Sequence, residues 1–194
     1  MKFDKEANYW GDCYSEVAFG EVCKQRMYMR EMGLLEYADE FGDLNLRGKS
    51  IIDIGGGPVS MLLRCYNIVK PAVVDPINWP PSVWRRYHAY GISLVHASGE
   101  DPGIPADYVA DEVWIYNCLQ HVNDPLKVLE TAKRLGKKIR LFEWLWTGCD
   151  ECHPHSLTPE LLLKGLEGTT GKYSNKRYTE FGCCCNALAG VFEC

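Results

Sequence analysis

An apolar run that ends in a carboxylate and three glycines, Ile51 to Gly57, sets the strictest limit on the fold of this chain. β-Branched residues in a short apolar run are typical of a buried strand. Glycines directly after a strand predict a turn whose backbone can approach a ligand closely. Met61 to Arg64 then opens a helical pattern, and the start of a helix offers unpaired N–H groups. The stretch therefore predicts a cradle for a ligand.

A second apolar run, Val73 and Val74, ends in another carboxylate, Asp75. Asp75 follows Asp53 at about the 20-residue offset at which an acidic residue meets ribose hydroxyls in dinucleotide sites. We expect Asp53 to accept a hydrogen bond from an amino group of the ligand, which glycine N–H donors cannot serve. Two carboxylates at this offset predict a nucleoside site.

The spacing of the glycines bears on which nucleoside binds. A nicotinamide dinucleotide site favours the pattern G-x-G-x-x-G, whose third glycine permits tight packing between helix and strand. The segment from Gly55 to Ser60 has a serine in that third place. A nicotinamide-dependent oxidoreductase is therefore the weaker alternative.

From Ser50 onward the chain alternates predicted strands and helices, which is typical of a parallel α/β sheet. The predicted strands are Ile51–Ile54, Ala72–Val74, Ile92–His96, Glu112–Tyr116, Lys138–Trp144, Gly171–Tyr178 and Asn186–Glu193. Helices are predicted between them, among others after Asp124-Pro125 and after Thr158-Pro159, because a capping side chain followed by proline is typical of a helix start.

Several segments resemble the class I S-adenosylmethionine-dependent methyltransferases. In chain order they are Asp53–Gly57 (motif I), Asp75, Gly99–Asp101, Tyr116–Val122 and the helix that begins at Asp124-Pro125. The resemblance covers about residues 50 to 145, although the family usually has a further glycine where Val59 stands. It implies a three-layer α/β sandwich with a mostly parallel seven-stranded sheet, an antiparallel last strand and an N-terminal helical lid.

The resemblance also implies a cofactor and its binding residues. S-adenosylmethionine would be the cofactor, S-adenosylhomocysteine the product and a small molecule the methyl acceptor. Asp75 is expected to hold the ribose hydroxyls, and Gly99-Glu100 to flank the adenine. The predicted cofactor-binding residues are Asp53, Gly55, Gly56, Gly57, Asp75, Pro76, Ser98, Gly99, Glu100 and Asn117.

Two residues are candidates for the base that takes a proton from a hydroxyl or ammonium acceptor. His121 comes first, because free histidine has a pKa of about 6.5. Glu143, at the end of the fifth predicted strand, comes second. Each has a structural alternative: His121 as the start of a loop, and Glu143 as a carboxylate whose hydrogen bonds are satisfied at the rim of the sheet.

Residues 1–49 precede the first predicted strand. They contain an aromatic patch, Tyr9–Tyr14, a predicted helix at about Glu16–Met32 that Gly33 ends, and a second predicted helix at about Leu34–Phe41. An amphipathic helix packed on the sheet is the expected role. Because N-terminal helices often form the lid in the resembling family, Trp10 and Tyr14 are lid candidates. We expect one domain, residues 1–194, with a lid at 1–49 and a Rossmann-like core at 50–194.

Ten cysteines are many for a chain without an export signal, and we expect them to be reduced. The loop 147–156 holds Cys149, Cys152, His153 and His155. Its C-x-x-C-H formally matches haem attachment, and a zinc site is the stronger alternative. Because a second well-spaced ligand pair is missing, we expect no metal. We expect His153 and His155 to line the substrate pocket.

The formal net charge is −5 and no long basic run occurs, so a nucleic-acid partner is disfavoured. No apolar segment is long enough for a signal peptide or a membrane span, so we expect a cytoplasmic protein; a homodimer is compatible with the sequence. The favoured function is methyl transfer to a small molecule. A catalytically silent cofactor-binding subunit of a larger complex is a further alternative, suggested by Val59.

Overall fold

The computed structural model describes residues 2–145, 149, 153–179 and 185–194. In this part of the chain, seven strands form one sheet: β1 (Leu44–Ile54), β2 (Cys65–Asp75), β3 (Ser93–His96), β4 (Glu112–Tyr116), β5 (Lys138–Leu145), β6 (Thr170–Tyr178) and β7 (Cys185–Glu193). Their order across the sheet is β3-β2-β1-β4-β5-β7-β6. β1 to β5 run parallel, and β7 is antiparallel to both of its neighbours. The predicted sheet is confirmed.

Helices cover both faces of the sheet, which confirms the three-layer architecture. They are α1 (Lys2–Trp10), α2 (Glu16–Glu31), α3 (Pro81–Ala89), α4 (Pro125–Leu135) and α5 (Pro159–Gly165). β4 shows why the sheet is buried on both sides. Trp114 and Tyr116 join the apolar cluster that contains Tyr28 of α2, whereas Val113 and Ile115 join the opposite cluster, because side chains alternate along a strand.

The predicted helix starts have the expected caps. The Asp124 side chain accepts hydrogen bonds from the N–H groups of Leu126 and Lys127 at the start of α4. The Thr158 hydroxyl accepts one from the Leu161 N–H at the start of α5. Such caps satisfy donors that a helix cannot pair internally. Among the described residues, no helix is long and apolar enough to cross a membrane.

The prediction of a helix after the glycines is wrong. Met61–Arg64 forms a single 3₁₀ turn, and β2 begins directly after it at Cys65. The N–H groups that would open a helix are taken by side chains: Ser60 N–H donates to the Tyr87 hydroxyl and Met61 N–H to the Tyr116 hydroxyl. The chain therefore returns to the sheet through a tight turn.

β1 and β2 are longer than predicted. Their pairing starts at Leu44 and Cys65, well before the apolar runs that predicted the strands. The register shifts within this extension, and Arg47, Asn67 and Lys70 have positive φ there. Such residues interrupt the alternation by which a strand is detected. The second predicted N-terminal helix is likewise only a 3₁₀ turn, Leu34–Tyr37, and the boundary expected at residue 49 falls inside β1.

Candidate functional site

A cleft lies at the carboxyl ends of β1, β2 and β4, where ligands bind in open α/β sheets. It encloses about 700 Å³ including its open mouth. α1 contributes Glu6 and Trp10 to its wall. The lining residues are Glu6, Trp10, Ile54, Gly55, Gly57, Val74, Asp75, Pro76, Ile77, Trp79, Gly99, Glu100, Asn117, Cys118, His121, Val122 and Asn123.

The three glycines after β1 have different tasks. Gly55 and Gly57 line the cleft and have φ of +75° and +62°, which side-chain-bearing residues rarely adopt. A Cβ on Gly55 would lie 2.5 Å from Cβ of Cys118, whereas one on Gly57 would meet no protein atom within 4 Å. Gly56 faces inward, and its Cβ would lie 2.6 Å from Oδ2 of Asp53. Gly57 therefore leaves room for a ligand, and Gly56 leaves room for Asp53.

Asp53 lies behind the glycine loop and does not line the cleft. It is fully buried, and its Oδ2 accepts hydrogen bonds from the Ser60 and Tyr116 hydroxyls, the latter at 2.8 Å. Burial raises the pKa of Asp53 to about 7, although these two hydrogen bonds act in the opposite direction. The expectation of a direct contact between Asp53 and a ligand is thereby corrected, because the carboxylate holds the loop from behind.

Asp75 lines the cleft at the end of β2. Its Oδ1 accepts from Ile77 N–H at 2.9 Å and its Oδ2 from Gly57 N–H at 3.1 Å. Burial raises the pKa of Asp75 to about 6, while these two N–H groups lower it. A carboxylate oxygen has two lone pairs, so each oxygen has one acceptor position beyond these two backbone bonds, and the neighbouring Trp79 side chain also lowers this pKa. The geometry suits a pair of adjacent hydroxyl groups.

Two of the three residues predicted after β3 reach the cleft. Glu100 lines it, and its Oε1 accepts from the N–H groups of Asn123 and Asp124 at 2.7 and 3.1 Å. Gly99 also lines it, and a Cβ there would lie 2.7 Å from Cγ2 of Ile54. Ser98 does not line it; its hydroxyl accepts from Asp101 N–H at 3.3 Å. Of the ten predicted cofactor residues, Asp53, Gly56 and Ser98 thus lie outside the lining.

Two predicted site residues in the turn after β4 contact the N-terminal helices through their side chains. Asn117 has φ of +52°, and its Nδ2 donates to Oε1 of Glu21 on α2 at 3.3 Å. His121 lines the cleft, and its Nδ1 lies 3.2 Å from Oε1 of Glu6 on α1. The loop after β4 therefore contacts both N-terminal helices.

His121 also contacts His153, with ring centroids 4.5 Å apart. No ligand group fits between two rings at this distance. Nε2 of His155 lies 3.0 Å from the carbonyl oxygens of Val122 and Asn123. Neither His153 nor His155 lines the cleft itself, so their position in the substrate pocket stays a prediction.

The expectation of no metal falls partly outside the described residues, since Cys152, Cys183 and Cys184 are not among them. Within the described part of the chain, no three His, Cys, Asp or Glu side chains stand close enough together to hold a metal ion. Cys149 is exposed there. The described residues therefore offer no metal site.

Glu143 is fully buried and does not line the cleft. Its Oε1 accepts from the N–H groups of Cys118 and Leu119, at 3.0 and 3.1 Å. Burial raises the pKa of Glu143 to about 7, although these hydrogen bonds lower it. The candidate role of Glu143 as the base is corrected, because its carboxyl group supports the loop after β4 instead of reaching the cleft.

One of the two lid candidates lines the cleft. Trp10 lines the cleft, and its Nε1 donates to Oε1 of Glu6 at 3.2 Å. Tyr14 is 79% exposed and does not line the cleft, so its assignment to the lid is corrected. It lies between the end of α1 and the start of α2.

Three lining residues with clear chemistry were missed. Ile77 and Trp79 follow Asp75 directly, and their apolar character after a strand-end carboxylate was a usable signal for a flat ligand surface. Glu6 gave a weaker signal: the spacing of Phe3, Ala7 and Trp10 marks the apolar side of α1, but an acidic residue beside that side is usually exposed. Its position depends on how α1 docks.

Three acidic side chains line the cleft. Glu6, Asp75 and Glu100 line it, and among the described residues neither Lys nor Arg does. Like charges facing one cavity raise the local concentration of oppositely charged ligands. The cleft therefore favours a ligand that carries positive charge.

No protein-family model matches this chain, and no curated protein sequence matches it either. Solved structures are similar in fold. The magnesium protoporphyrin IX methyltransferase ChlM from Synechocystis PCC 6803, with bound S-adenosylmethionine, is 13% identical with a TM-score of 0.65, covering 98% of this chain and 91% of that chain. The N-methyltransferase NodS from Bradyrhizobium japonicum WM9, in complex with S-adenosyl-L-homocysteine, is 13% identical with a TM-score of 0.58, covering 84% and 85%.

A third similar structure, the 4+2 cyclase SpnF, is 12% identical with a TM-score of 0.64, covering 87% of this chain and 81% of that chain. At these identities the likeness concerns the backbone. It agrees with the order and directions of the strands described above. The chain thus has the fold of the class I S-adenosylmethionine-dependent methyltransferases.

Proposed function

We propose that this protein binds S-adenosylmethionine in the cleft and transfers its methyl group to a small-molecule acceptor. The observation that carries the proposal is Asp75, which lines the cleft beside Gly57 with one acceptor position left on each carboxylate oxygen. Two ribose hydroxyls match these two positions in number and in chemistry.

The remaining lining residues suit the other parts of the same cofactor. Ile77 and Trp79 supply an apolar wall next to Asp75. Gly99 and Glu100 also line the cleft, which supports the proposal that they flank the adenine. The acidic lining is matched to a ligand with a positively charged sulfur. When bound, S-adenosylmethionine supplies a methyl group on that sulfur, and transfer yields S-adenosylhomocysteine and one proton from the acceptor.

A nicotinamide-dependent oxidoreductase fits less well. Dinucleotides place their pyrophosphate at the N-terminus of the helix after the glycine loop. Between Gly55 and Arg64 the described chain forms only a 3₁₀ turn, and the N–H groups of Ser60 and Met61 donate to tyrosine hydroxyls. The acidic lining would also repel a pyrophosphate.

A silent cofactor-binding subunit is the second candidate. The cyclase SpnF has the same fold and is not described as a methyltransferase, so this fold alone does not establish methyl transfer. Val59, which suggested this alternative, is buried at 3% exposure, does not line the cleft and accepts from Gln25 Nε2 through its carbonyl oxygen. The valine therefore does not narrow the cleft, which favours the enzyme.

Titration calorimetry tests the proposal. S-adenosylmethionine and S-adenosylhomocysteine are expected to bind the purified chain, and NAD is expected not to bind. Radiolabelled methyl transfer to a panel of small primary amines, phenols and carboxylic acids then separates an enzyme from a silent subunit. Binding without transfer to any acceptor would favour the silent subunit, and NAD binding alone would favour the oxidoreductase.

Other expectations from the sequence stay proposals. We propose one domain, residues 1–194, in which α1 and α2 act as the lid, and a cytoplasmic protein that partners with small molecules and not with nucleic acid. A homodimer is compatible with these features. Sedimentation of the purified chain measures the oligomeric state directly.

A further inference from the structure

A chain of hydrogen bonds runs along the cleft from α2 to α1. Asn117 Nδ2 donates to Glu21 Oε1 at 3.3 Å, and Asn117 Oδ1 accepts from Gln120 Nε2 at 3.1 Å. Gln120 Nε2 also lies 3.2 Å from His121 Nε2, and His121 Nδ1 lies 3.2 Å from Glu6 Oε1. Both ends of the chain are carboxylates.

The two carboxylates fix the direction of every bond between them, because an ionised carboxylate only accepts. Facing Glu21, Asn117 must present its Nδ2 and so turns Oδ1 toward Gln120. Gln120 must then present its own Nε2, whose two hydrogens serve Asn117 and His121. At the other end, the atom of His121 that faces Glu6 must donate.

Glu6 is ionised in this arrangement. Burial acts to raise the pKa of Glu6, but the hydrogen bond and charge of His121 and the hydrogen bond from Trp10 lower it below its ordinary value. Trp10 Nε1 donates to the same Oε1, at 3.2 Å. Glu6 is only 8% exposed, and a buried charge requires such partners.

We infer that Glu6 is a positioning residue that holds His121 with its proton on Nδ1, so that Nε2 carries the lone pair that takes a proton from the acceptor. The inference rests on the proposed methyl transfer. The same logic operates where a buried carboxylate orients a catalytic histidine and stabilises the imidazolium that forms. Here the carboxylate comes from the lid, so α1 completes the site.

The arrangement also selects the class of acceptor. In this structure, His121 Nε2 accepts a hydrogen bond from Gln120 Nε2. A methyl acceptor that replaces Gln120 at His121 Nε2 must therefore itself carry an N–H or O–H group. One proton passes from that group to Nε2 as the acceptor gains the methyl group, and it later leaves to water. A carboxylate has no such proton and would meet the charge of Glu6. Amines and hydroxyl compounds are therefore the expected acceptors.

Nitrogen NMR of the full chain, labelled with ¹⁵N-histidine, tests the tautomer without any acceptor. At a pH where histidine is neutral, the His121 signals, assigned from their loss in His121→Asn, are expected to show a protonated Nδ1. In Glu6→Gln the fraction of His121 with a protonated Nδ1 is expected to fall, because an amide can face the ring with either its oxygen or its nitrogen and only the hydrogen bond from Gln120 to Nε2 then favours that tautomer. The matched control is Glu130→Gln, an exposed carboxylate on α4 that pairs with Lys127.

Calorimetry with S-adenosylmethionine on the same samples separates the two proposals. We expect Glu6→Gln still to bind S-adenosylmethionine, with an affinity lower than that of the wild type because one of the three acidic groups in the lining loses its charge. No binding by the wild type would overturn the proposed function and leave the tautomer result standing. A protonated Nε2 in the wild type, or a tautomer unchanged in Glu6→Gln, would overturn the inference.

The acceptor panel supplies a kinetic readout. Glu6→Gln is expected to lower kcat for an amine or phenol by about 10- to 100-fold at saturating S-adenosylmethionine, where the loss of one lining charge no longer limits binding. A merely structural role would raise both KM values or lower the folded fraction, which circular dichroism measures. Methylation of carboxylic acids alone would overturn the assignment of Nε2 as the proton acceptor.

Discussion

Gly57 donates its backbone N–H to Oδ2 of Asp75 across 3.1 Å, which ties the glycine loop after β1 to the end of β2. The contact joins the two sequence features that predicted a nucleoside site. Ile77 N–H donates to Oδ1 in the same way, so a backbone N–H holds each of the two carboxylate oxygens. Each oxygen keeps one acceptor position that no backbone N–H occupies.

Replacing Asp75 tests the ribose contact. Asp75→Ala removes the charged acceptor of two hydroxyls, which costs about 1.5–3 kcal/mol, or about 10- to 150-fold in affinity for S-adenosylmethionine. Calorimetry measures the change. Asp107→Ala is the control, because Asp107 is exposed and outside the cleft lining. An affinity that Asp75→Ala leaves unchanged would contradict the role of Asp75.

Substitutions at two glycines with similar backbone conformations distinguish an effect on stability from an effect on ligand binding. Gly57 and Gly103 have φ of +62° and +65°, and a Cβ on either would meet no protein atom within 4 Å. Only Gly57 lines the cleft. Each substitution to alanine is expected to cost about 1–2 kcal/mol of stability, because alanine is strained at positive φ. Thermal unfolding measures this loss.

Binding is expected to differ between the same two variants. Gly57→Ala places a methyl group where the ligand approaches, so the affinity for S-adenosylmethionine should fall by about tenfold or more, equivalent to about 1.4 kcal/mol. Gly103→Ala should bind like the wild type. If both variants bound normally, the close approach of a ligand to Gly57 would be refuted.

The pKa of Asp75 predicts a pH dependence of binding. Burial raises this pKa to about 6, so the carboxyl group is partly protonated in the ligand-free protein near pH 6. A positively charged ligand that donates hydroxyl hydrogens favours the ionised form. Binding should therefore release a proton, and affinity should rise with pH through about 6, by at most about tenfold per pH unit for one proton.

Calorimetry in two buffers of different ionisation heat measures this proton release. Asp75→Asn is the matched control, because it keeps the size of the side chain and cannot titrate. Its affinity should be lower and nearly independent of pH over the same range. A wild-type affinity that is flat between pH 5 and pH 7 would exclude the linkage.

Much of the rim could be predicted from the sequence because its residues follow apolar runs. Asp75 and Asn117 come directly after such runs, and the carboxyl ends of parallel strands meet at one edge of a sheet. β4 was predicted with its observed bounds, Glu112–Tyr116, since a fully buried strand has a continuous apolar pattern. The apolar pattern of residues 112–116 was therefore sufficient to predict β4.

Contacts between distant segments could not be predicted. Glu6 reaches His121 only because α1 docks at one angle, and no local pattern encodes that angle. The glycine loop ends in a 3₁₀ turn because two tyrosine hydroxyls, from Tyr87 and Tyr116, accept the N–H groups of Ser60 and Met61. Tertiary hydrogen bonds overrode the helical pattern of Met61–Arg64.

A buried ion pair lies at the opposite end of β4 and β5 from the cleft. Arg140 Nε donates to Glu112 Oε2 at 2.6 Å, and both side chains are at most 1% exposed. Glu112 also accepts from the Tyr37 hydroxyl at 2.9 Å and from Trp114 Nε1 at 3.0 Å. Burial acts to raise the pKa of Glu112, but Arg140 and the other donors lower it on balance. The carboxylate is therefore ionised and fully hydrogen-bonded.

Breaking this pair is expected to destabilise the protein strongly without affecting the site. Glu112→Gln leaves the buried Arg140 guanidinium with only the exposed Glu36 as its counterion, 2.6 Å away, which costs up to about 3–5 kcal/mol. Urea denaturation measures the free energy of unfolding, and Glu130→Gln, whose carboxylate is exposed beside Lys127, should leave it unchanged. Because Glu112 begins β4 and the cleft lies beyond its other end, the folded fraction of Glu112→Gln should bind S-adenosylmethionine with wild-type affinity. A small loss of stability would show that Glu36, whose Oε1 lies 2.6 Å from Nη2 of Arg140, relieves the buried charge.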